Sequence, residues 1–480
     1  MPKSDGRVEV FYLGWRANGD GLDVGLAVNR LLAAGMRAWR ISEPRPPADA
    51  GDYLVELKPQ HQDALSRASV ATAPWRAGIP PDAQALTPPA TCLFAGSASK
   101  FPYFAYYALC LLRLGIDYLP CGGAALAQGA LDHANLLVLP GGFATWGIDA
   151  AEDAAGADAR VREFLAHGGS AIGSCGGAFY LSAGRPGWTG TAAAKPLYTH
   201  EYLQSGVGIV TLAMRPGPLA FGCPPTIEVP YYHGPIYDAL GSGIGVAATF
   251  HALSLPGRLA IDNPLDEDRF LRDMAGKPAI LTVAGDRGHA VLFSPHPEMG
   301  DLIRKYIALD GYVRHYLPIR GFGTMRDTLR HYRVADAPSF RLVLNAVHEL
   351  MVHARSPGES ALRSPRQPGD ELAVLCRGAM AALPELGPGE ENDLLRDIAA
   401  RIGSRLEPAA LRTAAAMREA GKLDRLMPAY EHLATAIAEH QTRTSDRTPT
   451  QQLMELDLAV ALLECWSRVA EWDLALARTT

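Results

Sequence analysis

A single cysteine lies inside a glycine-rich stretch, GGSAIGSCGGAFYLS, which spans residues 168–182. The small apolar residues before Cys175 are typical of a buried strand, and Gly176 and Gly177 let the chain turn at once into a helix. Such a turn projects the side chain at the carboxyl edge of a sheet, with helix N–H groups near the sulfur. The pattern therefore predicts a nucleophile elbow with Cys175 as the nucleophile. A buried structural cysteine is the alternative.

A histidine and a glutamate follow a later strand, in the stretch VLFSPHPEMG. His296 and Glu298 are two residues apart, and such side chains point the same way when the segment is extended. Pro297 stiffens the backbone between them. Cysteine-dependent acyl transfer needs a base near the thiol and a group that orients the base. We predict that His296 is that base and Glu298 its orienting acid. A loop histidine beside a solvated glutamate is the alternative.

A pair of glycines ends a third apolar strand, in the stretch NLLVLPGG. Glycines at such a point let backbone N–H groups approach a substrate oxygen. We predict that the N–H groups of Gly142 and Gly176 form an oxyanion hole, and that Gly141 and Phe143 line the substrate pocket. Removing one such donor in other enzymes costs about 3–4 kcal/mol of transition-state stabilisation. A plain strand-to-loop turn is the alternative.

These three segments, in this order, resemble the class I glutamine amidotransferase-like superfamily, whose members use a Cys-His-Glu triad. The segments VLPGGFATWG, REFLAHGGSAIGSCGGAFYLS, VPYYHGPIY and FSPHPE look most similar to the N-terminal domain of eukaryotic biotin–protein ligases and its stand-alone bacterial relatives. The resemblance covers residues 88–318. It implies a flavodoxin-like core with Cys175, His296 and Glu298 as nucleophile, base and orienting acid.

Four further residues are candidates for the substrate pocket. The resemblance places VPYYHGPIY near the nucleophile, which brings in Tyr232 and His233. Ser97 follows the first strand of this core, and Phe179 lies four residues after Cys175. Glutamine amidotransferases usually carry Gln at this last position, so Phe179 argues against glutamine as the substrate. A structural histidine beside packed tyrosines and an ordinary turn are the alternatives for these loops.

The elements that must position these residues alternate between short apolar strands and amphipathic helices. This alternation predicts an α/β fold, with a flavodoxin-like, mostly parallel sheet and helices on both faces. We predict a small α/β segment with a Pro-rich linker over residues 1–87, the catalytic domain over 88–320 and an all-helical domain over 321–480. The final helix is apolar on many faces, which indicates bundle packing or a subunit interface.

Composition argues against several classes of protein, among them nucleic-acid binders and membrane proteins. The chain has 480 residues, 20% of them charged, and a net charge of −6, which argues against a nucleic-acid or membrane-surface binder. No apolar run reaches about 18 residues, so no membrane span is predicted. Seven cysteines without a CxxC pair predict reduced thiols in a cytoplasmic protein. The 14 histidines show no metal spacing, and we expect no metal and no other cofactor.

Two functions remain at this point. The first is a cysteine-dependent amidase or hydrolase that cleaves a C–N amide bond, in a small molecule or a peptide-like substrate, through an acyl-enzyme. The second is a non-catalytic or partner-activated protein, regulatory or for assembly, whose C-terminal helices bind a synthase or a second copy of the chain. The intact Cys/His/Glu set favours the enzyme, because a silent domain has no chemical need for all three.

Overall fold

The computed structural model describes three sheets and the helices that cover them. The described residues are 9–19, 21–99, 101–142, 146–197, 205–254, 265–285, 288–311, 338–356, 390–420, 432, 435 and 449–477. The strands are β1 (Glu9–Leu13), β2 (Ala38–Arg40), β3 (Tyr53–Leu57), β4 (Ala73–Pro74), β5 (Gln84–Ala85), β6 (Thr91–Phe94), β7 (Tyr118–Cys121), β8 (Leu136–Leu139), β9 (Ser170–Ser174), β10 (Ala194–Pro196), β11 (Val207–Met214), β12 (Thr226–Tyr232), β13 (Tyr237–Leu240), β14 (Ile244–Leu253), β15 (Pro278–Gly285) and β16 (Gly288–Phe293). The α-helices are α1 (Leu22–Ala33), α2 (Pro59–Arg67), α3 (Tyr103–Arg113), α4 (Gly123–Ala127), α5 (Ile148–Glu152), α6 (Ala157–Ala166), α7 (Gly176–Leu181), α8 (Glu267–Arg269), α9 (Gly300–Gly311), α10 (Pro338–His353), α11 (Glu390–Ala420) and α12 (Pro449–Ala477).

The N-terminal part of the chain forms a sheet of its own. Its five strands are antiparallel and lie in the order β4-β1-β3-β2-β5. Helix α1 buries Val24, Val28 and Leu31 in one cluster with Tyr53 and Val55 of the sheet. The helical spacing of these apolar residues is what places them on a single face.

The central sheet has nine strands in the order β12-β11-β14-β15-β16-β9-β8-β6-β7. The five strands from β7 to β16 pair in parallel, and the remaining pairs are antiparallel. Every residue of β6, β8 and β9 is buried, as expected for parallel strands with helices on both faces. Helix α3 packs with one face of this sheet, and α6 and α7 pack with the other. The predicted mixed α/β fold is confirmed.

The C-terminal helices share the core of the central sheet. One buried cluster contains Leu93 and Phe293 of the sheet together with Val343 of α10, Leu406 of α11 and Trp466 of α12. The apolar residues of α12 therefore pack within this chain. The predicted boundary at residue 320 lies outside the described residues and stays a prediction.

Two cysteines differ from the expectation of free thiols throughout. Cys92 of β6 and Cys121 of β7 form a disulfide, with their Cα atoms 6.4 Å apart. The two residues are 29 positions apart in sequence, and the parallel pairing of β6 with β7 brings them together. Among the described cysteines, Cys110, Cys175, Cys223 and Cys465 form no disulfide.

Candidate functional site

The predicted chemical groups follow three neighbouring parallel strands. Phe293 of β16 pairs with Ser174 of β9, and Leu139 of β8 pairs with Gly173. The N–H of Cys175 donates to the carbonyl of Phe293 at 2.9 Å. Because the carboxyl ends of parallel strands lie at one edge of a sheet, the loops that follow β8, β9 and β16 meet there.

Cys175 lies in the turn between β9 and α7. Its backbone has φ 50° and ψ −107°, a conformation that residues other than glycine rarely adopt. A Cβ on Gly177 would collide with the carbonyl of Leu139, so the turn needs glycine on its far side. The thiol is 8% exposed, and its Sγ donates to the carbonyl of Tyr232 at 3.0 Å. The strand-turn-helix path of an elbow is therefore present, while the role of Cys175 as a nucleophile stays a prediction.

His296 and Glu298 form a buried pair beside this turn. The two side chains are 2% and 1% exposed, and Nδ1 of His296 lies 2.7 Å from Oε1 of Glu298. The predicted extended geometry is wrong, because Pro297–Met299 form a 3₁₀ turn. Proline suits the first position of such a turn, which brings the carboxylate back to the imidazole. Among the described residues, Nε2 of His296 has no nitrogen or oxygen partner, and its hydrogen-bonding neighbour is the side chain of Cys175.

The charge state of His296 follows from its surroundings. Burial lowers the pKa of this imidazole, but the charges of Glu298 and Cys175 outweigh that effect and raise the pKa to about 10. At neutral pH His296 is therefore an imidazolium ion paired with the Glu298 carboxylate. A positive charge held beside a cysteine favours the thiolate, which is the reactive form.

The glycines predicted to surround the reacting carbonyl lie against Cys175. A Cβ on Gly141 would be 3.0 Å from Cε1 of His296 and 3.4 Å from Cβ of Cys175. A Cβ on Gly176 would be 2.7 Å from the nitrogen of Gly142, so these two backbone segments adjoin. Gly142 has φ 115°, a conformation that favours glycine. The oxyanion role of Gly142 and Gly176 stays a prediction, and Phe143 lies outside the described residues.

Tyr232 and His233 lie beside Cys175 and His296. The ring of Tyr232 is 41% exposed, with its centroid 4.7 Å from that of His233 and 6.5 Å from that of His296. Nδ1 of His233 accepts the N–H of Gly206 at 3.0 Å. Burial and the charges of His296 and Arg269 lower the pKa of His233 to about 4. His233 is therefore neutral near pH 7, and its proton is on Nε2.

The side chains of two predicted pocket residues make their contacts elsewhere. The hydroxyl of Ser97 is exposed and lies 3.5 Å from Oε1 of Glu152. Phe179 is buried in the core, with its ring centroid 5.7 Å from that of Trp188. The structure therefore brings together the predicted triad, the three glycines, Tyr232 and His233, and leaves Ser97 and Phe179 outside that group.

Sequence reasoning missed three residues that contact this group. Ser99 is buried and its hydroxyl donates to the carbonyl of Gly141 at 3.3 Å. The hydroxyl of Ser174 donates to Oε2 of Glu298 at 2.9 Å, and it also contacts the hydroxyl of Tyr107. Ser174 directly precedes Cys175, and that adjacency was the available signal. Tyr107 on α3 carried no such signal.

Two kinds of feature are absent from the described part of the chain. No helix there is both long and apolar enough to cross a bilayer. Within the same ranges, no three His, Cys, Asp or Glu side chains are grouped so that they could hold a metal ion.

Comparisons with known proteins give likenesses of fold over part of the chain. No protein-family model and no curated protein matches it. A solved structure of a glutamine amidotransferase is 19% identical, covers 43% of this chain and 91% of its own, with a TM-score of 0.30. A glutamine amidotransferase from Thermotoga maritima is 14% identical, covers 54% of this chain and 97% of its own, with a TM-score of 0.34. A putative ThuA-like protein from Bacteroides uniformis is 8% identical, covers 57% of this chain and 95% of its own, also with a TM-score of 0.34. Likenesses at this level establish no family, so the resemblance to biotin–protein ligase domains stays a prediction.

Proposed function

We propose that this protein is a cysteine-dependent amidase or hydrolase of the glutamine amidotransferase-like type, which cleaves a C–N amide bond through an acyl-enzyme. The observation that carries the proposal is the buried ion pair of His296 and Glu298 beside Cys175, with Nδ1 and Oε1 2.7 Å apart. Burying two charges is costly unless they are paired, and a structural loop gains little from such a pair. The order β7-β6-β8-β9-β16 is also that of the flavodoxin-like fold, which supports the predicted core.

The reaction has two halves, formation of an acyl-enzyme and its hydrolysis, and His296 transfers one proton in each half. The Cys175 thiolate attacks the amide carbonyl carbon, and the resulting oxyanion accepts hydrogen bonds from the N–H groups of Gly142 and Gly176. The imidazolium of His296 gives its Nε2 proton to the leaving nitrogen as the C–N bond breaks. Water then attacks the thioester and loses a proton to Nε2, and the Cys175 thiolate leaves with the carboxylic acid as product.

Glu298 keeps the imidazole in the form that this sequence of steps needs. Its carboxylate accepts a hydrogen bond from the Nδ1–H of His296, so Nε2 is the nitrogen that exchanges a proton with the reacting groups. It also stabilises the imidazolium that exists before the amine leaves. Because Nδ1 is bonded to Glu298, the hydrogen bond between the side chains of His296 and Cys175 belongs to Nε2, and this is the contact that the mechanism requires.

The first test is the pH dependence of Cys175 alkylation by iodoacetamide, read peptide by peptide by mass spectrometry. We expect Cys175 to react at a lower pH than Cys223, whose pKa burial raises to about 12. His296→Ala should remove that difference, because the thiolate loses its positive partner. Equal behaviour of Cys175 in both proteins contradicts the proposed pair.

The second test is turnover. A panel of amides, which includes glutamine, small aliphatic amides and short peptides, is assayed for release of ammonia or amine and for an acyl adduct on the Cys175 peptide. Cys175→Ala should abolish both signals, whereas Cys223→Ala, a matched loss of a partly buried thiol, should leave them unchanged. Release that survives Cys175→Ala contradicts the mechanism.

One observation favours a partner-activated form of the same chemistry. The sulfur of Cys175 is nearly covered and lies 3.0 Å from the carbonyl oxygen of Tyr232, so a substrate reaches it only if that segment moves. A protein that alkylates at Cys175 in the predicted way, yet turns over no amide alone, is then a subunit that a partner opens. Activity that appears on addition of a partner synthase identifies that case.

A further inference from the structure

Glu298 is held on both of its oxygens by different parts of the chain. Oε1 accepts from His296, and Oε2 accepts from the hydroxyl of Ser174 at 2.9 Å. The Ser174 hydroxyl in turn contacts the hydroxyl of Tyr107, which reaches the site from α3. Ser174 and Tyr107 are fully buried. Three separate elements, α3, β9 and the turn after β16, are therefore joined by one chain of hydrogen bonds that ends at this carboxylate.

The protons of this chain of hydrogen bonds can be assigned by counting. An ionised carboxylate only accepts hydrogen bonds, so the single proton of Ser174 lies toward Oε2 of Glu298. The bond between Tyr107 and Ser174 must then use the Tyr107 proton. Burial and the charge of Glu298 raise the pKa of Tyr107 well above its ordinary value, so this hydroxyl keeps its proton at every working pH. Both hydroxyl dipoles consequently point toward the carboxylate.

We infer that Ser174 and Tyr107 are positioning residues that hold the Glu298 carboxylate in line with His296, and so keep Cys175 reactive at neutral pH. This inference rests on the proposed function of Cys175, His296 and Glu298. A hydroxyl that donates to Oε2 fixes the direction of the carboxylate, and a carboxylate held in this direction is what stabilises the imidazolium. Because Ser174 is bonded directly to Cys175 in the chain, the same strand end holds both the nucleophile and the acid.

The alternative is that the two hydroxyls merely satisfy one another in a buried core. A structural role of that kind predicts a loss of stability without a change in the pH dependence of the cysteine. The positioning role predicts a change in pH dependence even where stability is retained. The two roles are therefore separable by one profile.

The experiment measures the rate of Cys175 alkylation against pH in the full chain for Ser174→Ala and Tyr107→Phe. Without the Ser174 donor the carboxylate is held on Oε1 alone and pairs less well with the imidazolium, so we expect the acid limb of the profile to move upward by roughly one to two pH units. This shift corresponds to a fall of about tenfold or more in the alkylation rate on that limb. Tyr107→Phe removes only the second donor and should move the limb in the same direction by less.

Two variants serve as matched controls. Tyr106→Phe removes a hydroxyl from the neighbouring buried position on α3, where it faces the sulfur of Met454. Ser182→Ala removes a buried hydroxyl that donates to the carbonyl of Ala178. Both should retain the wild-type profile, and circular dichroism and thermal melting report whether each variant folds. Tyr107→Phe, which keeps the ring, decides the matter if Ser174→Ala fails to fold.

The outcomes distinguish failure of the positioning role from failure of the proposed function. A wild-type profile that does not depend on His296 overturns the proposed function and this inference with it. A profile that depends on His296 but is unshifted in Ser174→Ala and Tyr107→Phe overturns the inference alone. A shift toward lower pH also overturns it, since the hydroxyls would then be weakening the pair.

Discussion

Replacing Glu298 by glutamine removes one charge from the buried pair and keeps the shape of the side chain. The amide oxygen of the substituted side chain can still accept the Nδ1 proton of His296, so hydrogen bonding at that position survives. What is lost is the negative charge that lies 2.7 Å from the imidazole. The Glu298→Gln variant therefore separates two roles of Glu298: its charge, which stabilises the imidazolium, is lost, and its hydrogen bond, which orients the ring, is kept.

The size of the effect follows from the charge balance at His296. Burial alone lowers the pKa of this residue from 6.5, and Glu298 is the largest of the influences that raise it to about 10. Loss of the carboxylate removes the largest of these raising influences, so the pKa of His296 should fall, and each pH unit of that fall weakens the imidazolium by about 1.4 kcal/mol. The imidazole is then charged in a smaller fraction of molecules at neutral pH, and the Cys175 thiolate loses its positive partner in the rest.

The assay is iodoacetamide labelling at neutral pH, with the Cys223 peptide as an internal reference. We expect Glu298→Gln to slow labelling of Cys175 by at least about tenfold, and to make it rise with pH as an ordinary thiol does. Glu163→Gln, at a largely exposed carboxylate on α6, is the control and should match the wild type.

One result refutes this reasoning. If Glu298→Gln labels Cys175 at the wild-type rate and with the wild-type pH dependence, the carboxylate is not what keeps the imidazole charged. The same finding in a variant whose melting temperature is unchanged removes unfolding as an explanation. The chemistry of the site would then have to be assigned without Glu298.

Three other outcomes are expected from the structure. Gly176→Ala places a Cβ 2.7 Å from the nitrogen of Gly142. We expect turnover to fall by about 10²–10³-fold, while iodoacetamide still alkylates Cys175. Steady-state kinetics on any amide that the panel identifies measures the fall. Burial and the nearby arginines lower the pKa of His348 well below 6.5. As pH falls below about 6.5, the unfolded chain therefore binds a proton at His348 before the folded chain does, and the free energy of unfolding decreases. Urea unfolding at several pH values across that range measures this decrease, and an unfolding free energy that does not change with pH counts against it. Arg30→Ala removes a buried guanidinium that pairs with both Asp117 and Asp473, and it should cost about 3–5 kcal/mol of unfolding free energy. Arg401→Ala at an exposed pair should change that free energy little, and equal effects in the same urea titration contradict the assignment.

The strands and the positions at their ends were predictable because local pattern determines them. The apolar runs that lead to Gly141, Cys175 and His296 are short and end at glycine or proline, and each became a strand of the central sheet. Parallel strands then bring their carboxyl ends to one edge whatever the intervening sequence is. The chemical types of the residues at those ends were enough to predict a thiol, an imidazole and a carboxylate together.

The contacts around those residues were not predictable, because they depend on chain segments far apart in sequence. Ser97 and Ser99 lie in one loop, and only the packing shows that Ser99 reaches Gly141 while Ser97 faces Glu152. Phe179 falls one helical turn after Cys175, and its direction depends on the position of Trp188. Local sequence carries no information on any of these distances.

The sequence by itself determined the alternation of strands and helices, the turn that displays Cys175, and the presence of His296 and Glu298 after a later strand. The tertiary structure alone decided that Glu298 is also held by Ser174 and Tyr107, residues 124 and 191 positions away. It also decided that the C-terminal helices share a core with the central sheet. The physical reason is the same in each case: backbone propensity and hydrophobic period act within a few residues, whereas burial and hydrogen-bond partners are set by the packing of the whole chain.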